Sequence, residues 1–326
     1  MIIINNRNKD PYLNHAIEEH LINTLDDDCF MLWQNSPCVL IGKNQNVYSE
    51  INLDFIRANN IAVVRRITGG GTVFNDEGNF NFTFIAKNKD NVFADFAKFT
   101  KPIISALCKL NIEAEFRGRN DLVIEGKKFS GNAQCRMRDK ILHHGTLLFN
   151  VDLEALVSAL TVNALKLKSN AVASVRSRVT NIAEHLKTPM HIDDFRMMIL
   201  DEVKNSVEGS RFYELTAEDM QKSEIIARDR YRKDEWNFSK QLDFTIKKEQ
   251  RFTGGLVQMQ AVVKKGIIKD LRFYGDFFNE KDVCEIEQAF CEVPYQENRV
   301  KETLAKYDID AYFKNISRDE IAGLII

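Results

Sequence analysis

The sequence predicts a mixed α/β protein built as two domains. Its 326 residues are more than one hydrophobic core usually organises. Apolar residues recur at helical spacing in some stretches and at strand spacing in others. The composition then changes twice, becoming mainly helical after Asn150 and strand-rich again near residue 243. The second change falls in a polar, Lys-rich segment, so the boundary is expected between 240 and 248, giving domains 1–244 and 245–326.

Asp10-Pro11 reads as a helix N-cap with proline in the first helical position, followed by Leu13, Ile17, Leu21 and Leu25 at helical spacing. Phe30–Trp33 and Val39–Ile41 read as paired strands around the turn Asn35-Ser36-Pro37. Ile61–Val64 is a strand that leads into glycines. Phe80, Phe82 and Phe84 alternate with Asn81 and Thr83, the pattern of a half-buried strand with one aromatic face. Phe96, Phe99, Ile103, Leu107 and Leu110 form a helical stripe, and residues 120–149 are again β-rich.

Past Asn150, Asp152 is a candidate N-cap, Phe195, Ile199, Val203 and Val207 form a stripe, and Thr216 with Asp219 resembles a capping pair. In the second domain, Leu242–Ile246, Gly255–Val263 and Ile267–Phe273 read as three strands. Helices are expected over Asp282–Phe290, Val300–Lys306 and Asp319–Ile325, the last with a capping box of Ser317 and Glu320.

The charge balance, 45 Lys+Arg against 47 Asp+Glu, gives no reason to expect nucleic acid or a membrane surface as partner. No apolar run is long enough to span a bilayer, and the start lacks a charged n-region before an apolar core. Six cysteines without a C-x-x-C pair are expected as reduced thiols of a cytoplasmic protein. The six histidines show no zinc-hydrolase spacing.

Four segments can carry chemistry. In Arg65-Arg66-Ile67-Thr68-Gly69-Gly70-Gly71-Thr72-Val73-Phe74-Asn75-Asp76, three glycines leave backbone N–H groups open to a phosphate, and two arginines can add charged hydrogen bonds to the same anion. Neither a Walker loop nor a dinucleotide fingerprint fits, and the pattern is as consistent with an ordinary loop as with an anion site. Gly118-Arg119-Asn120-Asp121 precedes Lys127-Lys128-Phe129-Ser130-Gly131-Asn132-Ala133. Lys127 reads as a solvated charge, whereas Lys128 sits beside small residues that allow close approach of a ligand. Asp121 is either a hard oxygen ligand for Mg²⁺ or a turn aspartate bonded to its own backbone, and spacing alone favours the turn.

The adjacent His143 and His144 enter a strand and face opposite ways, so both cannot easily bind one ion, and a structural role is the simpler reading. Ser174–Asn181 carries Arg176 and Arg178, for which a solvated face or a salt bridge is the plain alternative to a site.

Taken in order, Arg65–Asp76, Gly118–Val123, Lys128–Ala133, His143–Phe149, Ser174–Asn181 and Glu235-Trp236-Asn237-Phe238 resemble the lipoate–protein ligase A family. Arg251-Phe252-Thr253-Gly254-Gly255 is similar to the opening of its small accessory domain. The resemblance covers nearly the whole chain. It implies an α/β (α+β) fold: a large mixed-sheet catalytic domain of the biotin/lipoate ligase type with a small α/β C-terminal accessory domain. It implies ATP and lipoate as substrates with Mg²⁺, and lipoyl-carrier proteins as partners: acyltransferase subunits of 2-oxoacid dehydrogenases or the glycine-cleavage H protein.

By the same resemblance Arg66, Gly71, Thr72, Val73 and Phe74 hold the nucleotide and the lipoyl-adenylate, with Gly69, Gly70, Asn120, Ser130, Ala133 and His144 at the same site. Lys128 is the catalytic residue, touching the α-phosphate and the lipoyl carboxyl oxygen, and Asp121 serves the metal. Many members carry His where this chain has Asn75, which cannot titrate, so no acid–base work is assigned there. The aromatic face of Phe80, Phe82 and Phe84 is a candidate apolar slot for the lipoyl tail, with core packing as its plainer role. The rivals are an ATP-independent acyl transferase using Cys135, and a non-catalytic binder of lipoylated carriers. A monomer is expected.

Overall fold

The computed structural model describes residues 1–88, 93–160, 176–238 and 243–326. The chain divides into two compact units. The first comprises Met1–Ile41, Tyr48–Arg66 and Thr72–Asn237. The second comprises Gly42–Val47, Ile67–Gly71 and Phe238–Ile326.

Strands of the first unit are β1 (Ile2–Asn5), β2 (Cys29–Trp33), β3 (Cys38–Ile41), β4 (Ala62–Arg65), β5 (Val73–Asn75), β6 (Asn79–Lys87), β7 (Ala114–Arg117), β8 (Asp121–Ile124), β9 (Lys127–Met137), β10 (Lys140–Leu148) and β11 (Arg211–Phe212). Among the described residues, eight of them form one sheet in the order β11-β1-β2-β6-β10-β9-β8-β7, and a small sheet has the order β4-β3-β5. The large sheet is mixed, because β1 runs parallel to both β2 and β11 while β2, β6, β10 and β9 pair antiparallel.

Helices cover both faces of the large sheet. On one face, Phe99 of helix Phe96–Lys109 packs on Phe84, and Phe195 of helix Ile192–Ser206 packs on Phe80. The other face receives helix Pro11–Thr24, capped by the Asp10 carboxylate that accepts from Tyr12 and Leu13 N–H. That helix is amphipathic in an unusual sense, since His15, Glu18, Glu19 and His20 lie on buried positions beside Ile17 and Leu21. Its polar side chains meet the polar face of β6, where Thr83 donates to Glu18. Asn81 and Thr83 are therefore buried as fully as the phenylalanines, and the strand expected to be half-exposed is covered on both sides.

Two further expectations change in this unit. β2 and β3 do not pair: β2 joins β1 and β6, whereas β3 joins β4 and β5. The connecting residue explains it. Asn35 accepts from Asn14 and donates to Asn75, so the chain is drawn inward from one sheet to the other instead of closing a hairpin. Val207 continues the helical stripe in sequence but lies past the helix end and is exposed. The capping pair Thr216–Asp219 is a true capping box, and Asp152 accepts from Glu154 and Ala155 as expected.

The second unit contains a meander, β12 (Ile246–Phe252), β13 (Gly255–Lys264) and β14 (Ile267–Gly275). β12 begins later than expected and runs through Lys247, Lys248, Glu249 and Arg251; as an edge strand it turns Lys247, Glu249 and Arg251 to solvent, while Lys248 donates to the Ile325 carbonyl. Leu242, where the strand was expected to start, and residues 240–242 of the expected boundary lie outside the described residues. Helices Cys284–Ala289, Glu297–Leu304 and Arg318–Ile325 cover the sheet, the last with the Ser317–Glu320 capping box, and a short helical turn at Ile309–Tyr312 was not foreseen. The unit has its own core, centred on Val257, Met259, Leu271, Phe273, Phe277 and Phe313.

Candidate functional site

Lys128 is held by its backbone as much as by its side chain. The register of β8 and β9 shifts between Leu122 and Val123, which skips Phe129 and sets Lys128 opposite Val123. There Lys128 N–H donates to the Arg178 carbonyl at 2.7 Å and its own carbonyl accepts from Thr180 N–H at 3.0 Å. The segment around Arg176–Asn181 is thus a strap for Lys128; Ser174 and Val175 of the same motif lie outside the described residues. Arg176 itself faces Glu154.

The Lys128 ammonium stands 2.7 Å from Asp121 Oδ1, both side chains about two-fifths exposed. A Cβ on Gly131 would come within 2.9 Å of Lys128 Nζ and 3.0 Å of Cε. A side chain at residue 131 would push the end of Lys128 off its present path over β9. Ser130, Asn132 and Ala133 continue the strand as buried residues, and Asn120 and Asn132 bond each other through side chain and backbone in both directions.

The two histidines of β10 do face opposite sides. His143 stacks against Phe82 and Phe99 on the aromatic side. Its protonation is dictated by neighbours whose orientation is fixed. Gln134 Oε1 accepts from Ala94 N–H, so Nε2 of Gln134 must donate to His143 Nδ1. Asn132 Nδ2 donates to the Asn120 carbonyl, which leaves Asn132 Oδ1 to accept from His143 Nε2. One ring nitrogen accepts and the other donates, the pattern of a neutral imidazole. Burial, and secondarily His144, hold this histidine well below its ordinary range.

His144 faces the first helix. Its Nδ1 and His15 Nδ1 lie 2.9 and 2.8 Å from the two oxygens of Glu18. Thr83 adds a third donor to that carboxylate, and Trp33 Nε1 in turn donates to Thr83. Burial alone would raise Glu18, but the two histidines and their hydrogen bonds keep it far below the usual carboxylate range. Burial also lowers His15, against the pull of Glu18. This buried layer was not seen in the sequence; its signal was two titratable residues three apart, His15 and Glu18, on a helix otherwise read by its leucines.

Arg65 and Arg66 have different partners. Arg65 binds the carbonyls of Trp236 and Asn237 and receives Asn237 Oδ1 on its own N–H, while Trp236 Nε1 donates to its carbonyl. The Glu235–Phe238 motif is thereby explained as the partner of Arg65. Arg66 reaches the carbonyl of Leu40 at 2.9 Å, and burial pulls it down to about 10, with Glu18 opposing. Thr72 and Val73 are partly exposed, whereas Phe74 is buried on β5 beside Val39. Asn75 is fully buried between Asn35 and the Phe74 carbonyl. It ends a run of buried asparagines, Asn6, Asn14, Asn35 and Asn75, that the sequence did not announce.

Gly69, Gly70 and Gly71 belong to the second unit. Gly70 has φ 88°, and a Cβ on Gly69 would stand 2.5 Å from the Phe277 carbonyl. At Gly71 a Cβ would meet open space. Phe80, Phe82 and Phe84 sit in the main core with Phe30, Phe99 and Ile103, so core packing is the role the structure supports. Cys135 is buried on β9, which does not suit an attacking thiolate.

Asp121 suits Mg²⁺ as a single, partly exposed carboxylate, since that ion commonly keeps waters and phosphate oxygens as its other ligands. Among the described residues, the one group of three with converging ligand atoms is His15, Glu18 and His144, whose donors already satisfy one another and whose nitrogens do not suit Mg²⁺. Among the described residues no helix is long and apolar enough to cross a membrane.

Residues 10–204 match the lipoyl protein ligase A/B catalytic domain, and residues 241–325 match the bacterial lipoate protein ligase C-terminus. The chain is 40% identical over 325 residues to lipoate–protein ligase 1 of Staphylococcus aureus, with 99% of each chain covered. It is 39% identical to a lipoate-protein ligase of Bacillus subtilis, covering 100% of both. Its fold is similar to a P. falciparum protein solved in complex with lipoate, with TM-score 0.82 and 24% identity over 99% of this chain and 98% of that one. A lipoate-protein ligase A bound with ATP aligns with TM-score 0.64 and 22% identity over 73% of this chain and 98% of that one.

Proposed function

The chain belongs to the lipoate–protein ligase family, and we propose that it joins lipoate to a carrier lysine through the residues gathered around Lys128. It is an ATP-dependent ligase acting on lipoyl-domain proteins. The observation that carries the site assignment is the setting of Lys128: backbone strapped by Arg178 and Thr180, side chain passing over Gly131, ammonium beside Asp121.

A carboxylate is a poor electrophile and must be activated before an amine attacks it. In the first step a lipoate oxygen attacks the α-phosphorus of ATP and pyrophosphate leaves. In the second, the carrier lysine amine attacks the acyl carbon, AMP leaves, and the amine proton passes to solvent. Lys128 donates to the α-phosphate and to the lipoyl carboxyl oxygen, where negative charge is concentrated. Arg66, Gly69, Gly70, Gly71, Thr72, Val73 and Phe74 form the nucleotide and adenylate segment, and Asn120, Ser130, Ala133 and His144 complete the site. Asp121 is the residue that would hold Mg²⁺, which when bound supplies positive charge to the phosphates. Orientation dominates the second step, because a mixed anhydride is already reactive.

Finer assignments follow from the same reading. Residues 1–244 do the chemistry and 245–326 are the accessory domain. The carriers are acyltransferase subunits of 2-oxoacid dehydrogenases or the glycine-cleavage H protein, and the enzyme works as a cytoplasmic monomer.

The test is labelling of a purified lipoyl domain, read by intact mass. The lipoyl mass gain should require ATP, vanish in Lys128→Ala and survive Cys135→Ser. Labelling from an acylated donor without ATP, abolished by Cys135→Ser, would replace the ligase reading with an acyl transferase.

A further inference from the structure

The second unit is not only the C-terminal segment of the chain. It includes two short pieces from far upstream, Gly42–Val47 and Ile67–Gly71, the second of which contains the glycine triplet. These pieces are built into it by specific contacts. Lys43 N–H donates to the Thr68 carbonyl at 2.8 Å, joining the two pieces to each other. Gly42 and Gly70 touch so closely that a Cβ on Gly42 would stand 1.9 Å from the Gly70 carbonyl oxygen. Gly42 N–H also donates to the Gln45 side chain, which closes the first piece into a turn.

That turn is anchored at the end of β14 and in the loop beyond it. Gly275 N–H donates to the Asn44 carbonyl at 2.9 Å. Asn44 Nδ2 donates to Asn279 Oδ1 at 2.7 Å, and both side chains are buried. Asn279 Nδ2 in turn holds the Lys281 carbonyl, so its orientation is fixed. Lys43 Nζ lies 2.9 Å from Asp282, whose other oxygen accepts from Cys284 N–H. Gly69 rests directly on the backbone of Phe277 and Phe278.

A phosphate cradle made of backbone N–H groups works only if those groups are already aimed, because a flexible loop loses affinity in ordering itself. We propose that Asn279 and Asp282 are positioning residues for the nucleotide: through Asn44 and Lys43 they fix the turn on which the glycine triplet is built. Neither residue needs to touch ATP. The inference rests on the reading that the glycine triplet binds the nucleotide.

The experiment measures KM for ATP, KM for lipoate and kcat in the full chain for Asn279→Ala, Asn44→Ala, the double variant, Asn279→Asp and Asp282→Asn. Asn279→Ala removes the hydrogen bonds to Asn44 and to the Lys281 carbonyl; it should raise KM for ATP by about tenfold and leave KM for lipoate near wild type. The double variant should be no worse than Asn279→Ala alone, because the contact with Asn44 is already gone there. Asn279→Asp keeps the acceptor for Asn44 but sets a carboxylate oxygen against the Lys281 carbonyl, so it should also raise KM for ATP. Asp282→Asn, at a partly exposed pair, reports on the same turn should the buried variants fail to fold, and should raise KM for ATP by a smaller factor.

Equal losses toward ATP and lipoate, additive effects in the double variant, or wild-type ATP affinity in both Asn279→Ala and Asp282→Asn would overturn the proposal while leaving the ligase reading intact. Wild-type enzyme that labels no carrier with ATP would instead remove the reading on which it rests, and this proposal with it.

Discussion

Acidification between pH 7.5 and 5.5 should destabilise the first unit through its buried neutral histidines. His143 is held neutral by Gln134 and Asn132, and burial keeps its pKa well below the usual value. Its sequence neighbour His144, on the opposite face of the strand, also disfavours its protonation. In the unfolded chain the same imidazole takes a proton near pH 6.5. The stability it contributes is therefore complete above that pH and is lost as pH falls below it toward the folded value. Over this interval the unfolded state gains about 1.4 kcal/mol from one histidine that the folded state cannot protonate. His15, lowered by burial with Glu18 opposing and His144 and Arg66 reinforcing, adds up to about the same again by the same linkage.

Both tryptophans, Trp33 and Trp236, lie in the first unit, so their fluorescence during urea unfolding reports on that unit alone. The unfolding free energy should fall by between about 1.4 and 2.8 kcal/mol from pH 7.5 to 5.5. In His143→Phe the overall stability shifts by an offset, but the pH-dependent part should shrink by about 1.4 kcal/mol. A variant with an undiminished pH dependence would show that His143 already carries a proton, and the hydrogen-bond argument for its neutrality would be wrong.

Other substitutions separate activity from stability. Lys128→Ala should abolish carrier labelling yet change unfolding free energy by less than about 1 kcal/mol, because the Lys128–Asp121 pair is solvent-screened; a large stability loss would point to a structural lysine. Gly131→Ala should cut activity at least tenfold through displacement of the Lys128 ammonium, about 1.4 kcal/mol in the barrier, with far-UV circular dichroism unchanged. Gly145→Ala places a methyl 2.3 Å from Asn132 Oδ1 and 2.6 Å from the Phe82 ring. It should cost about 1–3 kcal/mol or more by overpacking, measured by urea titration. Ser317→Ala removes the capping box of the last helix and should cost the second unit about 1 kcal/mol, seen as faster amide exchange in residues 318–325 with the first unit unaffected.

What was legible in the sequence was whatever repeats locally. The Asp10, Asp152, Thr216 and Ser317 caps, the helical stripe from Phe96, and the opposed faces of His143 and His144 follow from spacing of a few residues and were read correctly. Element ends were missed locally, at Val207 and at the start of β12, and the larger failures are non-local. Nothing between residues 29 and 41 says that β2 and β3 enter different sheets, because the cause is Asn35 bonding to Asn14 and Asn75. Alternation in β6 suggested an exposed polar face, but a helix sixty residues upstream in the chain supplies Glu18 to cover it, roughly the separation at which pattern reading has no signal. At the candidate site, the ordered motifs named Lys128 and Asp121, which do meet. They did not reveal why Arg65, Trp236 and Arg178 recur with them. The Arg65 and Trp236 side chains are spent on each other's backbone carbonyls and Arg178 lends its own carbonyl to Lys128, and a backbone partner leaves no trace in the sequence.

The composition of the second unit bears on how this protein can be dissected. Because residues 42–47 and 67–71 are built into it, no single cut in the chain separates the two compact bodies. A fragment ending at Asn237 retains the partners of Arg65 but carries two loops stripped of Gly275, Phe277, Asn279 and Asp282. A fragment starting at Phe238 keeps its own core and lacks the turn that caps the end of β14. Chimaeras with a relative's C-terminal segment must therefore exchange three stretches together, and a swap of the last stretch alone tests a mismatched turn rather than a transplanted domain.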